Sequence, residues 1–220
     1  MRRESSTVVA LVGEPDDRLV SGLAQSANVS VAWAPDKPGK KDRPAWEAGA
    51  LALRDAGKLR STYVVVADDP LADVAASWQA MWDLSGGPEA AAEFERQATE
   101  VLAAWKAKRF ELPDYYLVAA KATEEAPRPD LYLGPLRSVR PRRVTLAVTE
   151  LGATGIASGG LIAGTSGSGP TGTAMASSGD QVARVVSALR SLQHGPWWPP
   201  LDELLDAARQ FYPGALTETG

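Results

Sequence analysis

The sequence predicts an α/β fold: an N-terminal βαβαβ parallel sheet, extended by an antiparallel hairpin or meander and followed by C-terminal helices. The first support is the run Tyr63-Val64-Val65-Val66-Ala67, apolar and largely β-branched, too short for a helix and without a polar face. Such a run reads as a strand buried on both sides, the mark of a parallel sheet with both faces covered. The second is the alternation of strand-like and helix-like apolar spacing from Thr7 to Ala67, which implies parallel strands joined by right-handed crossovers. The third is a change of pattern after Leu112. There, strand-like runs follow one another without intervening helices, as short antiparallel connections allow.

The elements follow in order. Thr7–Val12 is the first strand, closed by Gly13-Glu14-Pro15-Asp16. Leu19, Val20, Leu23 and Ala24 recur at helical spacing, with Asp16 and Asp17 in the first turn, where the helix dipole favours acids. Val29, Val31 and Trp33 alternate with smaller residues as a second strand, and a charged loop, Asp36–Arg43, leads to a helix carrying Trp46, Ala50 and Leu53. After the third strand, Pro70 opens a helix with Leu71, Val74, Trp78 and Trp82 inward, read as packing. Ser85-Gly86-Gly87-Pro88 breaks it, and a long helix runs from Glu89 to Arg109 on the seam Phe94, Ala98, Val101, Trp105. Asp114–Ala120, Asp130–Leu136 and Arg143–Thr149 are the strands of the expected hairpin or meander. Val182, Val185, Val186 and Leu189 mark a helix ending near His194, and Leu201, Leu204, Leu205, Ala208 and Phe211 mark the last. The domain organisation expected is a sheet domain over 1–150, an uncharged Gly/Ser-rich loop or arm over 151–179, and a helical segment over 180–220 packing on the same domain.

At 220 residues, with 45% hydrophobic and 23% charged residues, the chain has the composition of a globular protein. A formal charge of -4 gives no global attraction to nucleic acid or anionic membrane, so any such contact must be local. Without cysteine, disulfides and thiolate chemistry are excluded, and one histidine rules out His-rich zinc sites. No leader-like segment or membrane-length apolar stretch is visible, and a cytoplasmic location is expected.

Ligands of open α/β sheets bind outside the carboxyl ends of the strands, which draws attention to the acids after the first and third strands. Glu14, Asp68 and Asp69 would converge there if those strands are neighbours, an oxygen cluster suited to Mg²⁺. These two stretches resemble the metal-binding domain shared by topoisomerases and primases, whose first strand ends in Glu and whose third is followed by Asp-x-Asp. Here Val12 stands at the position of that Glu, and Ala67-Asp68-Asp69 departs from the Asp-x-Asp register. Asp69 before Pro70 equally suits a helix N-cap.

Arg137, Arg140, Arg142 and Arg143, with Arg128, crowd the expected hairpin. Guanidinium forks there suit a protein interface, an anion or nucleic acid, with Tyr115, Tyr116 and Tyr132 as stacking surfaces for bases. The uncharged tract carries Ile156, Leu161 and Ile162 as anchors for a partner, and Trp197-Trp198 forms a further contact surface. Within the tract, Gly164–Thr171 has the glycine spacing of a phosphate loop, but Pro170 replaces the lysine that the chemistry needs. His194 has no nucleophile-elbow motif to serve, and Ala119 occupies the carboxylate position of a nuclease core that Asp114 and Lys121 would otherwise suggest. No catalytic residue or cofactor motif is assigned. The expected function is a non-enzymatic binding or assembly protein, a subunit or assembly factor of a larger complex, with a protein partner or self-association, and nucleic acid as a further partner through the arginines. The alternative is a Mg²⁺-dependent enzyme acting on nucleotides or nucleic acid through the acidic edge.

Overall fold

The computed structural model describes residues 6–13, 17–32, 43–82, 87–121, 130–150, 182–183, 185–187 and 199–211. Five strands, β1 (Thr7–Gly13), β2 (Val29–Ala32), β3 (Tyr63–Val66), β4 (Tyr115–Lys121) and β5 (Val144–Glu150), form one sheet in the order β2-β3-β1-β4-β5. Every neighbouring pair is parallel. The βαβαβ start is therefore as expected, and the antiparallel extension is corrected: β5 continues the parallel sheet.

The reason lies in the chain between β4 and β5. Asp130–Leu136, expected as a strand, folds instead into a helical turn, Tyr132–Leu136, running into the short helix α5 (Arg137–Val139). Asp130 starts it, its Oδ1 accepting from the backbone N–H groups of Tyr132 at 2.6 Å and Leu133 at 3.2 Å, as an N-capping carboxylate does. Pro135 then shapes it. Proline has no N–H for the carbonyl of Leu131, so Leu136 reaches back to that carbonyl at 3.1 Å, and the turn widens to π spacing. This helical crossover returns the chain to the starting edge of the sheet, which parallel pairing requires.

Further helices are α1 (Asp17–Ala24), α2 (Ala45–Ala56), α3 (Ala72–Trp82), α4 (Gly87–Lys106) and α6 (Leu201–Gln210), and the described residues 182–183 and 185–187 are helical as well. Alternate residues of the strands serve opposite faces, so two cores form. Val9, Leu11, Val65, Tyr115 and Leu117 pack with Leu19 and Leu23 of α1 and with Val185. Val8, Ala10, Val64, Val66, Tyr116 and Val118 pack with α2, α3, α4, the π turn and Leu204, Leu205 and Ala208 of α6. Only the β1–β2 crossover of the described connections uses the first face, as right-handed crossovers demand for this strand order. Trp78, 1% exposed, ties α3 to α6 by donating its indole N–H to the Ala208 carbonyl at 3.0 Å, and tilts against Trp82 at 5.4 Å. The tryptophan pair is packing, as its spacing predicts. Among the described residues no helix is long and apolar enough to cross a membrane.

Candidate functional site at the sheet edges

β1 and β3 lie side by side, but their following connections leave on opposite faces of the sheet. That divergence is a topological switch point, the place where open α/β sheets open a crevice. Asp68 and Asp69 stand beside it. Asp69 turns inward and is 3% exposed. Its Oδ1 accepts from the Tyr116 hydroxyl at 3.0 Å and its Oδ2 from the Tyr132 hydroxyl at 2.7 Å, while the Leu71 N–H also bonds the side chain. Asp69 is thus the capping residue of the turn that opens α3, and it joins β3, β4 and the π turn. Burial pushes its carboxyl up to about 6 against the opposing bonds from Tyr132, Leu71 and Tyr116. Burial likewise pushes both phenols well above their ordinary value, reinforced by the charge of Asp69. Gly49 of α2 lets this loop sit close, since a Cβ there would come within 2.4 Å of the Pro70 nitrogen.

The chemistry open to this cluster is structural and titratable. Both Asp69 oxygens hold phenols, Asp68 is half-buried beside it, and Glu14 lies outside the described residues. Among the described residues no group of three or more acids or histidines could hold a metal ion. The two partner tyrosines are legible only in retrospect, because nothing in the sequence links Tyr116 or Tyr132 to Asp69 before the fold is known. Tyr115, Tyr116 and Tyr132 are all buried, so none is presented as a stacking surface for bases.

The arginines divide. Arg137 and Arg142 are exposed on the turn that leads into β5. Arg140 is half-buried, donates from Nη1 to the Val139 carbonyl at 3.3 Å, and has a buried Nε without a hydrogen-bond partner. Arg143 is 7% exposed and belongs to the framework. Its Nη1 donates to the Asp114 carbonyl at 3.1 Å and its guanidinium lies 4.6 Å over the Tyr115 ring. Asp114 in turn accepts from the Val8 N–H at 2.7 Å, so the starts of β1, β4 and β5 are clasped together. Ile156, Leu161, Ile162, Trp197 and Trp198, with the whole 151–179 tract, lie outside the described residues.

Two further surfaces escape a reading of the sequence alone. β5 occupies one end of the sheet, and among the described residues no strand pairs with its outer edge. On α2, Trp46, Glu47, Ala50, Leu51 and Arg54 share one stripe and, with Arg109, line an open groove of about 390 Å³. The α2 stripe follows from helical spacing, but the arrival of Arg109 depends on how α4 ends. Lys108 adopts φ 57, Lys108 N–H bonds the Trp105 carbonyl and Arg109 N–H bonds that of Ala104, a left-handed closure that turns Arg109 back over the Trp46 ring. Comparison with protein-family models, with curated proteins and with solved structures finds no match.

Proposed function

We propose that the chain is a non-enzymatic binding protein, a subunit or assembly factor of a larger complex, and that it engages a partner protein along β5. The observation that supports this most is the position of β5, a strand of 7 residues at the end of the sheet. An edge strand presents a row of backbone donors and acceptors, and natural proteins either blunt such an edge or use it to add a strand from another chain. In the sequence Val144–Glu150 the only charged residue is Glu150, and there is no proline or lysine to blunt it. The exposed Arg137 and Arg142 stand at the entrance to the same strand, where guanidinium groups suit the rim of a protein interface.

Hydrogen exchange on the dilute chain, alone and then with a partner captured by affinity purification, tests the reading. Alternate β5 amides should exchange quickly in the isolated chain and slowly in the complex. If the partner is a second copy, the same protection should appear on raising the concentration. Protection confined to other segments, with β5 unchanged, would contradict the proposal.

A further inference from the structure

We propose that the groove on the outer face of α2 binds a small phosphate monoester that carries an aromatic ring, of nucleotide size, an activity separate from any strand pairing at β5. The groove joins three chemistries. Trp46 and Leu51 supply an apolar wall, Arg54 and Arg109 supply guanidinium forks, and Glu47 supplies a carboxylate acceptor. The wall is preorganised: the Trp46 indole N–H donates to Glu100 Oε1 at 3.0 Å, which fixes the ring, and the Arg109 guanidinium lies 5.6 Å over it. Among the described residues neither Arg54 nor Arg109 forms an ion pair, so both forks can serve a ligand.

Their placement selects a ligand with a ring at one end and an anion at the other. Arg54 lies two turns from Trp46, about 12 Å along the helix. A ring packed against the Trp46–Arg109 pair brings a phosphate on the same molecule towards Arg54, whose planar fork matches phosphate oxygens. Glu47, one residue from Trp46 on the same wall, accepts from an N–H of the ring and disfavours a bare anion beside it. The volume of about 390 Å³ falls within the range of small-molecule sites.

The test is an amide chemical-shift titration of the full chain with adenosine 5′-monophosphate, phenyl phosphate, adenosine and inorganic phosphate. Adenosine 5′-monophosphate should move amides of α2 and of Lys108–Phe110, and should bind roughly tenfold more tightly than adenosine or inorganic phosphate. Arg54→Ala, at an exposed position, should keep the native melting temperature, weaken this binding roughly tenfold and leave adenosine binding unchanged. Phenyl phosphate should follow the same dependence on Arg54. The proposal is overturned if neither adenosine 5′-monophosphate nor phenyl phosphate moves α2 amides at about 10 mM. It is equally overturned if inorganic phosphate binds as tightly, or if Arg54→Ala changes nothing.

Discussion

Replacing Asp69 by Asn should flatten the dependence of stability on pH. Burial lifts the Asp69 carboxyl from 3.8 to about 6 in the folded chain. An elevated folded value means that the unfolded chain releases this proton first as the pH rises. The contribution of Asp69 is therefore most favourable below the unfolded value and declines as the pH climbs through the folded one. The displacement corresponds to about 3 kcal/mol of stability lost between about pH 4 and pH 7. Asparagine keeps the shape and can accept from one phenol while donating to the other, but it has no proton to release. Asp130, which burial also pushes up, is common to both proteins and cancels in the comparison. Urea denaturation at several pH values gives the stability difference between native protein and Asp69→Asn. The variant should gain on the native protein by about 3 kcal/mol across that range. Parallel profiles would show that Asp69 is not held as the buried, phenol-bonded carboxyl described here.

Arg143→Ala should destabilise by about 2–4 kcal/mol in denaturant titrations, because it strips a charged hydrogen bond and a cation–π contact from the clasp at the strand starts. Arg137→Ala and Arg142→Ala, on the exposed part of the same turn, should each stay within about 0.5 kcal/mol. Gly49→Ala should lower the melting temperature, although alanine favours the helix by about 1 kcal/mol, because its Cβ meets Pro70 backbone rather than a movable side chain.

The parallel core of this fold is legible because periodicity reports burial directly: the run Tyr63–Ala67 is apolar throughout, and its first four residues become β3, the strand next to β1. What periodicity cannot report is a competing local interaction. Leu131-Tyr132-Leu133 looks strand-like, and Gly134-Pro135 argues against a helix, yet the Asp130 cap and the proline-induced shift of the hydrogen-bond ladder make a π turn. That single turn reverses the expected hairpin into a parallel crossover. Arg143 illustrates the same gap from the side of charge. Four neighbouring arginines read as a surface, but one of them is buried by an aromatic face and a backbone carbonyl that arrive from β4 and the residue before it. The Asp69 network is hidden in the sequence for a related reason, since its phenols lie 47 and 63 residues away along the chain.

A pair of proline substitutions tests the proposed role of β5 most directly. Neighbouring residues of a strand direct their N–H groups to opposite edges, so of Leu146→Pro and Ala147→Pro one breaks the ladder with β4 and the other removes only an outward donor. Thermal melts identify which is which, and binding to the captured partner, or self-association by sedimentation, is then measured for the variant that keeps its fold. This fold-neutral proline should abolish association. Association at native strength with the outer edge of β5 so blocked would contradict that role.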